Sequence, residues 1–374
     1  MSRRRRFRVL PTLAVVFSLL VGGGVQAERP AIPQIADVPV VDAPAGQPGD
    51  VPRIAEVPRT PPVPLLWRVA VETGDLYLLG SFHFLTADDY PLADEVEQAF
   101  AAADEVVFEL APEELHSPTL AMQMMQAGLR TDGSRLDDDL PADAAARLAA
   151  WGDVNRTTLQ ATGLGAQAFQ LFEPWFASLL VTTTELGRYG LQAQHGLDVH
   201  LARRAHEAGL ATAGLETAAQ QIEFLDGMAR PDQVQMLLEA LDQADAGPAA
   251  IEALHSTWRA GDAETLWADM AGDMRARSPA LYARINTSRN DAWLPKLEQM
   301  LQQPGTILVV VGALHLLGED GVVEKLAAKG YAVERICSAC ARRSLALARL
   351  VARGSPLTGH HDARAFYVLS STKY

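Results

Sequence analysis

Two stretches of the chain share one pattern. "LYLLGSFHFL" carries Gly80-Ser81-Phe82-His83, and "ILVVVGALHLLG" carries Gly312-Ala313-Leu314-His315. In each, an apolar run is followed by a glycine, two residues and a histidine. Neutral imidazole is a common metal ligand and a general base near neutral pH. A glycine ahead of it lets the chain leave a strand tightly and lets a ligand approach the backbone. With nine histidines and 28 glycines in 374 residues, chance alone gives roughly 0.7 such tetrapeptides. The pattern by itself is weak. Its occurrence twice, at the ends of the most strand-like runs, is the informative part.

Acidic and polar residues extend the set. Glu109 lies in "EVVFEL", where a carboxylate among apolar neighbours is costly unless paired or metal-bound; period-two alternation would instead turn it to water. Glu216 closes "ATAGLE" just before a helix, so it could be catalytic or could satisfy the orphan amides of that helix start. Arg289-Asn290, in "INTSRNDAW", could bind an oxyanion or a carboxylate, or form an ordinary surface ion pair. Two imidazoles and one carboxylate make a three-ligand set that leaves a coordination position for water. A metal there lowers the pKa of that water and polarises a carbonyl, and Arg289 or Asn290 could stabilise the developing oxyanion. Such mixed nitrogen and oxygen donors do not choose among zinc, manganese and cobalt.

The elements that must position these residues recur as well. "LLWRVAVETGDLYLLGSFHF" reads as a hairpin. A helix follows Pro91, and a strand at 105–110 completes the first unit, so the strand of Glu109 shares a β-α-β unit with His83. The second unit is "GTILVVVGALHLLG", the helix "DGVVEKLAAKG" and the strand "YAVERI". Continuous apolar runs suit strands buried on both faces, with crossover helices packed on the sheet. Both histidines then lie beyond the carboxyl ends of strands, where open α/β sheets bind ligands. Between the units, from about 112 to 303, apolar residues recur at helical spacing, interrupted by the strand-like "ATAGLE". The expected fold is α/β (α+β), a mixed central sheet built from two strand–GxxH–helix–strand units with a large helical insertion that could roof the site.

The chain ends suggest export. Residues 1–27 hold five arginines, no acid, an apolar run and a terminal "VQA", which predicts a signal peptide cleaved after Ala27. The arginine run also permits twin-arginine export. Pro11 and the Gly22–Gly24 triplet make the run a poor spanning helix, so no stable membrane span is expected after cleavage. A periplasmic or secreted bacterial protein is the expectation. Residues 28–62 form a proline-rich linker, the folded body covers 63–345, and a tail runs from 346 to 374, its His360-His361 pair expected in solvent. Loss of the five arginines takes the net charge from −14 to −19, which argues against nucleic acid as a partner. A peptide or small-molecule substrate remains. Cys337 and Cys340, spaced C-x-x-C, are expected as a small local disulfide or two free thiols ahead of a redox pair.

These motifs together resemble the TraB/GumN family, related to the Tiki-type metalloproteases and more distantly to erythromycin-esterase and ChaN-like proteins. The resemblance rests on the two G-x-x-H motifs, "EVVFEL", "GLDVHLARRAHEAGLATAGLETAAQQIEFL" and "SRNDAW", across about residues 63–337. It implies a mixed sheet flanked by helices, with a divalent metal held by His83, His315 and Glu109, the glutamate serving as ligand or base. Glu216, Arg289 and Asn290 become pocket residues. In the Tiki branch it implies peptide-bond hydrolysis, whereas the ChaN-like kinship suggests a non-catalytic protein binding metal, haem or an envelope ligand. A metal-independent esterase is a third expectation.

Overall fold

Leu66–Val71 (β1) folds back on Gly74–Ser81 (β2) as an antiparallel hairpin, with Leu66 opposite Leu79 and Val71 opposite Gly74. The computed structural model of the chain describes residues 60–340 apart from Thr73 and His116. The expected signal peptide, nearly all of the linker and the tail with His360-His361 lie outside the described residues.

Four further strands join the hairpin: Glu105–Leu110 (β3), Ala211–Glu216 (β4), Gly305–Gly312 (β5) and Val333–Arg335 (β6). The order across the sheet is β4-β3-β5-β2-β1-β6. β4, β3, β5 and β2 are mutually parallel, while β1 is antiparallel to both β2 and β6. This is the anticipated mixed α/β sheet. One pairing differs from the simple unit: β3 is not the neighbour of β2, because β5 lies between them. The physical reason is burial. Ile307 to Val311 are all buried, as suits an inner strand paired on both edges and covered by helices on both faces.

Register then brings the motifs together. Gly80 stands opposite Val311 and Ser81 opposite Gly312, so the two G-x-x-H segments leave adjacent parallel strands one position out of step. Glu109 and Glu216 sit at the same carboxyl edge on β3 and β4. Four neighbouring strands thus deliver four of the predicted site residues to one side of the sheet.

Residues 112–303 are mostly helical, as expected, although β4 from this stretch belongs to the sheet. Part of it has its own apolar cluster around Leu136, Leu148, Trp151, Phe169, Val181 and Leu241. Other parts reach back over the sheet. The helix Pro248–Arg259 lies against the first motif: Trp258 Nε1 donates to the Gly80 carbonyl at 3.3 Å, and the Phe82 ring lies 5.7 Å from Trp258 and 6.2 Å from His255. Two wide π-helical turns, Trp267–Gly272 and Ala283–Thr287, interrupt the helices before β5; such turns concentrate at functional sites. Among the described residues no helix is long and apolar enough to cross a membrane. Cys337 and Cys340 are joined as a disulfide, their Cα atoms 5.3 Å apart.

Asp89 fastens the loop after His83 to that same helix. It is 1% exposed and accepts from Thr86 N at 2.8 Å and Thr86 Oγ1 at 2.9 Å, with His255 Nε2 2.9 Å away and Arg259 Nη1 in contact. Burial alone would raise its pKa, but His255, the Thr86 amide and Arg259 outweigh it and hold the carboxyl well below its usual range. A depressed folded pKa adds stability that is complete above the unfolded value of about 4 and is lost as pH falls through the folded one. Asp89→Ala should therefore cost about 1–3 kcal/mol near neutrality, since it leaves the partly buried Arg259 and several donors without their acceptor. The wild-type advantage should shrink progressively below about pH 4, as read by urea unfolding at a series of pH values.

Candidate active site

Each histidine has a polar side chain close behind its Nδ1. His315 lies in the short turn Ala313–His315 that leaves β5. Its Nδ1 is 2.7 Å from Asn290 Oδ1. An amide oxygen can only accept, so Nδ1 carries the proton and Nε2 presents its lone pair. Asn290 is held in turn, its Nδ2 donating to Asn286 Oδ1 at 2.7 Å and to the Asp320 carbonyl at 2.8 Å. His83 Nδ1 lies 3.0 Å from Asp198 Oδ1, which also accepts from Ser81 Oγ at 3.1 Å. Both rings therefore turn Nε2 toward one place.

That place is beside Glu109. Its Oε1 lies 3.8 Å from His83 Nε2 and 4.0 Å from His315 Nε2, and accepts from the Gly312 N–H at 2.7 Å. Glu109 is buried, so alternation does not take it to water. A Cβ on Gly312 would meet His83 Nε2 at 3.1 Å, Glu109 Oε1 at 3.2 Å and His315 Cδ2 at 3.6 Å. The three side chains surround a single point. Gly312 has φ −51°, an ordinary value, so glycine is needed there for space and not for backbone freedom. Gly80 differs: a Cβ there would press on Leu65 and Ala313. Gly312→Ala should keep the fold yet lower both metal uptake and turnover by at least about tenfold, because its methyl occupies the point the donors address. Metal analysis and kinetics of the purified variant check this.

The Arg289 guanidinium binds the acids into one network. Nε and Nη2 donate to Glu216 Oε1 and Oε2 at 2.9 and 2.7 Å, Nη2 also donates to Glu109 Oε2 at 2.6 Å, and Nη1 donates to His315 Nε2 at 3.1 Å. Trp293 Nε1 donates to Glu216 Oε1 at 2.7 Å, and Gln221 Nε2 donates to Oε2 at 3.2 Å. Glu216 is thus the main clamp on Arg289. It does not cap the following helix; Thr217 does, accepting from Gln220 N. The Asn290 amide is fully engaged in orienting His315.

These contacts set protonation. Burial would raise the Glu109 pKa, but Arg289, the two imidazoles and the Gly312 N–H outweigh it and hold the group well below the carboxylate range. Burial and the adjacent guanidinium lower the His315 pKa to about 3, leaving that ring neutral. For His83, burial is outweighed by Asp198 and Glu109, and its proton affinity rises.

Do these residues fit a divalent ion? Donors bonded at about 2 Å to a tetrahedral ion stand about 3.3 Å apart, closer than the 3.8 and 4.0 Å from Glu109 Oε1 to the two nitrogens. Nδ1 partners such as Asp198 and Asn290 are what metal-ligating histidines require. Three carboxylates, Asp198, Glu109 and Glu216, face one guanidinium in this buried cluster, an excess of two negative charges when both rings are neutral. One contact opposes the fit: an ion would displace Arg289 Nη1 from His315 Nε2, leaving Arg289 its carboxylates. Among the described residues no three His, Cys, Asp or Glu side chains already stand at ligand spacing. The set fits by donor type, direction and charge, and would have to draw together.

A cleft of about 600 Å³, measured out to its mouth, opens over this point. Ser81, His83, Gly312 and His315 form its floor; Leu266, Met270, Met274 and Ile285 stand among its walls. The helical stretch thus roofs the site, as expected. Of the predicted residues, His83, Glu109, Glu216, Arg289, Asn290 and His315 all belong to this one network. Sequence reasoning missed Asp198 and Ser81. A signal for Asp198 was present: with Leu201, Ala202 and Ala205 it falls at helical spacing on the buried face of Leu197–Ala208, an acid within an apolar stripe.

The chain is similar to the uncharacterized protein YbaP of Escherichia coli (strain K12), 24% identical over 251 residues that span 67% of this chain and 87% of the relative. The YbaP protein of Shigella flexneri matches to the same extent. No solved structure matches. The family model described as TraB/PrgY/gumN matches residues 65–335, a span running from β1 to β6 and containing every site residue above; the chain belongs to the TraB/PrgY/gumN family.

Proposed function

We propose that this protein is a metal-dependent hydrolase of the bacterial cell envelope, acting on a peptide or amide bond. The observation that supports it is the convergence of His83 Nε2, His315 Nε2 and Glu109 Oε1 on one point, with Asn290 bonded behind the His315 ring and Asp198 close behind the His83 ring. His83, His315 and Glu109 would hold zinc, manganese or cobalt. Once bound, such an ion supplies a water of lowered pKa and a polarised carbonyl. The chain supplies the rest. Glu109, kept ionised by Arg289 and the Gly312 N–H, offers a carboxylate to the reacting centre. Arg289, anchored on Glu216, places positive charge beside it, where a developing oxyanion gains most in a low-dielectric pocket. The apolar walls above exclude bulk water. The predicted signal peptide supports periplasmic or secreted placement.

A second reading has its own observation. Arg289 Nη1 lies against His315 Nε2, and the two histidines are tuned in opposite directions. Paired groups with diverging proton affinities can divide acid and base roles, which suits a metal-independent esterase. A non-catalytic metal- or haem-binding protein is the remaining alternative. The test is metal analysis of the protein purified from its export compartment, followed by cleavage assays on peptide and ester panels with and without 1,10-phenanthroline. Chelator-sensitive amide cleavage is expected. Chelator-insensitive ester cleavage would establish the second reading, and stoichiometric metal without turnover would establish a binding protein.

A further inference from the structure

The cleft above the paired histidines is lined by fourteen residues, and none is Lys, Arg, Asp or Glu. In a chain where 21% of residues are charged, such a lining is selective. Leu266, Met270, Met274 and Ile285 make its walls, and the two π-helical turns place Met270 and Ile285 there. Its polar side chains above the imidazoles are already engaged. Ser81 Oγ donates to Asp198, Asn286 Nδ2 to the Leu314 carbonyl at 3.4 Å, and Tyr282 Oη to Asp320 Oδ2 at 3.3 Å; Asn286 Oδ1 accepts from Asn290. Each of these side chains already spends a hydrogen bond within the protein, and no charged side chain lines the cleft to pair with a charged one. The apolar walls run directly into the floor that holds His83, Gly312 and His315.

We infer that this cleft is a specificity subsite for an uncharged, apolar side chain next to the bond that is cut, with Met270, Met274 and Ile285 as its determinants. The inference rests on the hydrolase reading for the bond but not for the binding. Two methionines give the walls adaptable shape, so leucine, methionine and phenylalanine side chains should all enter. A carboxylate or ammonium would have to shed its hydration with no partner in the walls, so aspartate, glutamate, lysine and arginine should be turned away.

The test separates binding from turnover. Binding of the uncharged fluorophore N-phenyl-1-naphthylamine to the full chain is measured, then displaced with N-acetyl-leucinamide or with N-acetyl-glutamate amide. The leucine compound should displace it at a concentration at least about tenfold lower. Met274→Glu should weaken fluorophore binding at least about tenfold and Met274→Leu should not; circular dichroism checks folding, and the wild-type displacement stands alone if Met274→Glu does not fold. Equal displacement by the two amides, or fluorophore binding untouched in a folded Met274→Glu protein, overturns the inference. A parallel panel of quenched peptides varies one position beside the scissile bond. Cleavage indifferent to charge there also overturns the subsite while leaving the hydrolase reading intact. Selective displacement with no cleavage of any peptide sinks only the hydrolase reading.

Discussion

Alanine at His315 should remove bound metal and abolish turnover while the protein stays folded, and alanine at His83 should do the same. Loss of a residue that merely orients a ligand costs about 10–100-fold in metal affinity; loss of the ligand itself should exceed that. The structural penalty is smaller. In His315→Ala, Arg289 Nη1 and Asn290 Oδ1 lose a partner each, a cost of about 1–3 kcal/mol per stranded group at most. Arg289 keeps its carboxylates. Asn290→Ala and Asp198→Ala should fall between wild type and the histidine variants, because each leaves the imidazole present but free to rotate. Mass-spectrometric metal content and chelator-sensitive turnover read the series. Full metal retention by both histidine variants would falsify the proposed ligand set.

Arg289→Met should produce the largest change in stability. The guanidinium is buried between Glu109 and Glu216 and donates to both. Removing one member of a buried ionic cluster leaves uncompensated charge and costs roughly 3–5 kcal/mol. Arg289→Lys should not restore it, since an ammonium cannot make the forked contacts to Glu216 Oε1 and Oε2 together with Glu109. The double variant Arg289→Met, Glu216→Leu should recover only part of the loss, because Glu216 no longer strands a charge while buried Glu109 still lacks its guanidinium. Urea unfolding of chelator-treated protein measures all three against the wild type. A loss below about 1 kcal/mol for Arg289→Met would mean that the carboxylates are satisfied elsewhere.

Local signals in this chain were strong where one strand or helix decides the outcome. The β1–β2 hairpin, the strand-like runs ahead of His83 and His315, the strand around Glu109 and the short "ATAGLE" all follow from apolar runs bounded by glycine and acids. The six site residues could be named because their types are expensive at those places: a buried acid in β3, an arginine beside an asparagine on a helix. What could not be read was which strand lies beside which. The place of β5 between β2 and β3 depends on contacts some two hundred residues apart, and nothing local encodes it. Roles also shifted on contact. Asn290 could be read as an oxyanion donor, but the structure engages it behind His315; Glu216 could be read as a helix-start acid, but it clamps Arg289. Both outcomes depend on neighbours from other elements. Asp198 was overlooked because a single acid in an amphipathic helix resembles a solvated one until its spacing is checked against the apolar stripe.

The placement of β5 reaches beyond the site. Until residues 305–312 arrive, β2 and β3 have no strand between them, and the half of the chain made first holds two apolar edges apart. Closing so distant a pairing is slow for entropic reasons, and unfilled edges invite association with other chains. The site is therefore completed only at the final stage of assembly: a chain that ends before Gly305 carries His83 and lacks its counterpart His315. Truncation anywhere before Gly305 should yield aggregating material and not a folded protein with a weakened site.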